Sequence, residues 1–145
     1  MEFAQEIRLI KFVEEHLGKA CSWGFCDCNI FVLSGWDAVF GTRLAEKHKG
    51  KYKTAKAAIR YRRRSQWGSL QVLLTKEAGA VEIPRGFEQT GDILIVSDQK
   101  WEMSHICIGK NYAAACPDDL VSLAPIAALY GMPYQVWRYP SCLRQ

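Results

Sequence analysis

An α+β fold is predicted from the order in which two periodicities run along the chain. Up to about residue 78 the apolar residues recur at helical spacings. From Gly91 onwards they come in short runs bounded by turn residues, as strands do. Residues 28–40 are apolar nearly all round, the mark of a helix at the centre of a domain. Helices first and strands second point to N-terminal helices packed on a C-terminal antiparallel sheet, not to alternating α/β units. At 145 residues, with 49% apolar and 23% charged content, a single domain over residues 1–145 with a real core is expected.

In chain order, Phe3, Ile7, Ile10, Val13 and Leu17 form a stripe at spacings of three and four, which predicts a helix over residues 2–17. Leu9 and Phe12 widen that face, and Gly18 supplies the stop. After a loop over 19–26, the central helix starts at Asp27 or Cys28, runs to about Phe40 and ends at Gly41. Residues 42–50 are polar, irregular or a short helical turn, and helix formers dominate from Tyr52 to about Arg64. Ser69 is placed to cap a helix from Leu70 to about Ala78, followed by a turn-rich crossing between Gly79 and Pro84. Strands are expected over 91–96, 105–109, 110–116, 120–123 and 134–139, with a helical turn over 124–129 and an exposed hairpin connection at 97–102. The sheet is expected to be a meander.

The N-terminus shows no basic n-region and no apolar h-region, so no secretory signal is expected and the chain is expected to fold in a reducing cytoplasm. No apolar run approaches the ~20 residues needed to span a bilayer. The six cysteines (21, 26, 28, 107, 116 and 142) are accordingly read as free thiols. Cys21, Cys26 and Cys28 lack the C-x2-C pairs of structural zinc sites, so neither metal nor cofactor is expected. Ten of the nineteen basic residues lie between 43 and 64, opposed there only by Glu46. A solvated helix face is the commoner fate of such a stretch, with nucleic acid or an acidic partner protein as the alternatives.

The chemistry is concentrated around Trp23 to Leu33. Asp27 suits a helix N-cap, which puts Cys28 at the first helical position, where the positive end of the helix dipole favours a thiolate. A thiol nucleophile needs a base within hydrogen-bond reach. Of the three histidines, His16 and His48 read as solvated, whereas His105 opens a core strand and is the candidate partner. The alternative is a buried cysteine and an ordinary histidine. Trp23 and Phe25 are candidates for lining a cleft, with plain core as the alternative for both and the favoured one for Phe25.

Asp27-Cys28 before an apolar helix, then Gly91-Asp92-Ile93-Leu94-Ile95-Val96, then His105-Ile106-Cys107-Ile108-Gly109 resembles the NlpC-type cell-wall cysteine peptidases and their CHAP relatives. More closely, these motifs together with Gly50-Lys51-Tyr52-Lys53-Thr54-Ala55-Lys56 resemble a family of uncharacterised small tail proteins of siphophages, over roughly residues 21–139. The resemblance implies a papain-like NlpC-type fold. It implies Cys28 as nucleophile, His105 as base, and Trp23 and Asp27 at the substrate. The implied setting is the virion, in a phage tail tip among other tail proteins, after synthesis in the host cytoplasm, with peptidoglycan peptides as the substrate if the domain is active. The chain departs from the pattern in two places. The strand after the histidine offers Ala113, Ala114, Ala115 and Cys116 where a third polar residue would orient the imidazole. Cys107 stands where Gly or Ala is usual. Three functions follow: a cysteine hydrolase acting on cell wall, a catalytically inactive tail subunit on the same fold, and a basic nucleic-acid- or metal-binding domain.

Overall fold

The computed structural model describes residues 1–65, 67–98 and 101–144. Among these residues five helices come first: α1 (Phe3–His16), α2 (Cys28–Phe40), α3 (Leu44–His48), α4 (Ala55–Arg64) and α5 (Leu70–Ala78). Strands β1 (Val81–Ile83), β2 (Ile93–Ser97), β3 (Glu102–Ile108), β4 (Asn111–Ala114), β5 (Ser122–Pro125) and β6 (Tyr134–Arg138) follow. Short 3₁₀ turns occupy Ile126–Leu129 and Pro140–Arg144. The fold is α+β, and every strand pairing is antiparallel.

The sheet order is β1-β6-β2-β3-β4-β5, so the expected meander holds only for β2 to β5. β6 returns to the far side of β2 and brings in β1, which lies inside the crossing read as turn-rich. Three residues are too few for alternation to announce a strand, and β1 exists because β6 offers it an edge. Of the 97–102 connection, Gln99 and Lys100 lie outside the described residues, and Trp101 beside them is exposed.

One face of the sheet carries the helices. Ile93, Ile95, Ile106 and Ala113 join Ile30, Phe31, Leu33 and Trp36 of α2 and Leu9, Phe12 and Val13 of α1 in the main core. The other face carries a smaller cluster built on Leu94, Val96, Cys107 and Val136, closed by Ile126, Leu129 and Tyr134. α1 turns inward only one side of the broad face expected. Leu9, Phe12 and Val13 are buried, while Phe3 is 77% exposed and Ile10 and Leu17 are also open. Packing of Phe12 against Phe31 of α2 sets which side of that face is buried.

α2 is set by its ends. Asp27 caps it, its Oδ1 accepting from the Ile30 amide at 3.1 Å, and Gly41 closes it at φ +71. From the last turn of α2, Asp37 accepts from the amides of Leu44 and Ala45 at 2.7 and 2.9 Å. It thereby starts α3, whose own N-cap residue, Arg43, makes no side-chain cap. Trp36 donates its indole N–H to the Gly91 carbonyl at 2.8 Å, tying α2 to the entrance of β2.

Candidate functional site

Cys28 is the first residue of α2, as Asp27 at the cap requires. The Asp27 carboxylate is fully used: besides capping, its Oδ2 accepts from the Gly24 amide and the Tyr52 hydroxyl, each at 2.8 Å. At 2% exposure, with three donors of its own chain bonded to it, Asp27 is buried away from the cleft, and its expected place at the substrate is corrected to a structural one. The loop before α2 follows from that lock. Gly24 sits at φ +83, where a Cβ would fall 1.9 Å from the Tyr52 carbonyl oxygen, so only glycine lets the two segments close. Phe25, expected in the core, is 47% exposed and rests against Gly50.

The Cys28 thiol lines an open cleft of about 290 Å³ with Trp23, Trp101, Met103, Ala115, Cys116 and Pro117, rimmed by Asp98, Glu102 and Asp118. Trp23 therefore stands where a cleft-lining residue was expected. The side chain that faces the thiol from the sheet is Ser104. The backbone and hydroxyl of Ser104 lie close enough to the thiol to favour its ionised form. Asn29 Oδ1 accepts from Ser104 Oγ at 2.9 Å and from Cys28 Sγ at 3.7 Å. Burial pushes the thiol above its ordinary value, and the nearby Asp27 and Cys116 push it further, with the polar groups of Ser104 pulling back only in part. The positive end of α2 does not win, and the thiol is held as a hydrogen-bond donor.

His105 is not brought to Cys28. Successive side chains on a strand point to opposite faces. Ser104 and Ile106 lie on the helix side, and Ile106 would meet a Cβ at Gly35 of α2. His105 points to the other side, stacked on Tyr112 with ring centroids 4.6 Å apart. Its cross-strand partners there are Leu94 and Ala114. Its Nδ1 is buried without a hydrogen-bond partner, and burial lowers the imidazole to about 4. The expected Cys28–His105 pair is thus separated by the thickness of the sheet.

Of the other histidines, His48 is not solvated as expected, and His16 is half-buried. His48 is buried, its Nδ1 2.8 Å from the Tyr61 hydroxyl and its Nε2 3.1 Å from Glu77, clamping α3 to α4 and α5. His16 pairs Nδ1 with the Phe12 carbonyl oxygen at 2.7 Å and packs on Phe12 and Phe31. Gly91-Asp92 is structural: Asp92 is buried in a two-point pair with Arg138, at 2.9 and 2.8 Å. All six cysteines are free thiols. Among the described residues no group of three or more His, Cys, Asp and Glu side chains is placed to hold a metal ion. No helix of the described residues is long and apolar enough to cross a membrane.

Ser104 and Asn29 are the site residues that the sequence reading missed. Asn29 was legible as the neighbour of Cys28. Ser104 could be found only by knowing which face of β3 meets α2.

The model of a family described as a domain of unknown function, DUF6950, matches residues 1–131. A solved structure of a hypothetical invasion protein of Mycobacterium tuberculosis superposes with a TM-score of 0.55 at 16% identity. That match covers 94% of this chain and 62% of the other, so the chain spans less than two thirds of that structure's length and the likeness is one of fold. No curated protein matches the sequence.

Proposed function

This chain belongs to the DUF6950 domain family, and we propose that it is a structural subunit of a phage tail tip, built on the papain-like NlpC/CHAP fold but without peptidase activity. The fold reading is supported by the order of the elements: Asp27-Cys28 opening the central helix, Gly91-Asp92 leading into β2, and β3 crossing the N-terminus of that helix. The phage setting rests on the motif resemblance.

One observation carries the loss of activity. The β3 side chain facing the Cys28 thiol is Ser104, and the third member of the cluster is Asn29. A hydroxyl and an amide cannot take the thiol proton near neutral pH, and a thiolate is what attacks a carbonyl. The cleft beside the thiol, walled by Trp23 and Trp101, then serves to hold a chain segment, not to cut it.

Purified peptidoglycan in a zymogram provides the test. Neither the native protein nor Cys28→Ala is expected to clear it. Clearing by the native protein that Cys28→Ala abolishes would restore the hydrolase. Gold-labelled antibody on intact virions is expected to mark the tail tip, and virions without label would remove the tail assignment.

A further inference from the structure

We propose that the outer face of α4 binds the phosphate backbone of a nucleic-acid duplex. Lys56, Arg60, Arg63 and Arg64 are all exposed and stand at i, i+4, i+7 and i+8, which puts them in one stripe of a helix about 12 Å long from first to last. Lys53, also exposed, extends the stripe just before the helix. The opposite face of α4 is the packed one, with Ala58 buried and Tyr61 bonded inward to His48.

The stripe has no anion of its own. Among the described residues none of these five side chains is in a salt bridge, and the one acid of the segment, Glu46, is held by Arg43 at 2.8 Å. Lys56 with Arg60, and Arg60 with Arg64, are like charges one turn apart, which destabilises an isolated helix. A helix that carries such a cost on its solvent side is suited to an external polyanion.

Two observations choose the kind of polyanion. Among the described residues no large exposed apolar side chain belongs to α4, so the stripe carries no apolar anchor of its own of the kind on which a protein interface depends. The aromatic residues interleaved with the charges, Tyr52, Tyr61 and Trp67, are turned into the core, which leaves no platform on which unpaired bases could stack. Charge without anchors or stacking fits the regular phosphates of a duplex.

Fluorescence anisotropy with a labelled duplex tests this on the full chain. If about five phosphates are neutralised, affinity should fall on the order of 500-fold between about 50 and 200 mM salt. A Lys56→Gln/Arg60→Gln/Arg63→Gln variant should bind more weakly at low salt and lose only about tenfold over the same range. Its melting temperature by circular dichroism is expected to match or exceed the native one. Lys11→Gln/Lys19→Gln/Lys110→Gln removes as many exposed charges elsewhere and should leave the salt slope unchanged. Absence of binding at low salt, a slope that the α4 variant does not change, or an equal effect of both variants would overturn the proposal. So would tighter binding to single strands or to polyglutamate, the latter pointing to an acidic protein.

Discussion

His105 shows how one side chain can be chemically suggestive and still belong to the framework. Its ring is 4% exposed, stacked on Tyr112, and carries a buried nitrogen with no partner. Its acid dependence has a definite sign. Unfolded, the imidazole titrates near 6.5; folded, burial lowers it to about 4. Between those values the unfolded chain holds the extra proton, so stability rises with pH there and is lost as acid is added from about 6.5 down to about 4. The contribution at stake is on the order of 3 kcal/mol. Urea midpoints at about pH 7 and about pH 4.5 should therefore lie far apart for the native protein and closer together for His105→Phe, which keeps a ring against Tyr112. Equal spacing in the two proteins would show that other groups carry the acid sensitivity. At this scale the sequence was informative where a residue acts on its own backbone. Asp27 as cap and Cys28 as first helical residue were both readable from local chemistry. The second use of Asp27, accepting from Tyr52 twenty-five positions on, was not, because no local rule links a cap to a distant hydroxyl.

Among the elements, β3 explains why the candidate base was misplaced. Strand phase is read from a polar face alternating with an apolar one. Ser104, His105, Ile106 and Cys107 are all buried, because α2 covers one face and the cluster around Leu94 and Val136 covers the other. With both faces dry the strand has no polar side to fix its phase, and a shift of one residue exchanges Ser104 for His105. α5 is the opposite case, since Ser69 and Gly79 mark both of its ends and the helix lies where the sequence predicts. The sheet centre also carries a firm prediction. Asp92, entering β2, and Arg138, ending β6, are 2% and 8% exposed and pair through two hydrogen bonds. Burial raises the Asp92 carboxyl, and Arg138 opposes that shift. Removing one partner leaves the other charge uncompensated, so Asp92→Ala should cost about 3–5 kcal/mol in chemical denaturation. Asp92→Leu combined with Arg138→Met should recover most of it, because the pair's desolvation cost disappears with the pair. A double variant as unstable as the single one would mean that the bonds to Phe87 and Gln89 matter more than the ion pair.

For the molecule as a whole, the α+β order was legible because helices and strands are segregated along the chain, whereas the return of β6 between β1 and β2 depends on long-range pairing that leaves no local mark. What joins the two halves is α2. Arg8 of α1 donates to the Val39 carbonyl of α2 at 2.9 Å, and Trp36 donates to Gly91 at the start of β2. Phe40 stacks on Tyr139, just beyond β6, with centroids 3.9 Å apart. The Asp37 carboxylate starts α3, and Asp27 holds the approach to α4 through Tyr52. α1 cannot leave without uncovering Phe31 of α2, which is 1% exposed and packs on Phe12. The helical layer and the sheet should therefore unfold together, as single domains of this size usually do. Far-ultraviolet circular dichroism follows the helices, and of the five tryptophans it is Trp36 and Trp67, 0% and 4% exposed, whose fluorescence changes on unfolding through loss of burial. Their urea transitions should coincide in midpoint and slope. Helical signal lost at clearly lower urea than the burial of Trp36 would mean that α1 and α3 to α5 form a separable layer, with α2 and the sheet as the only cooperative core.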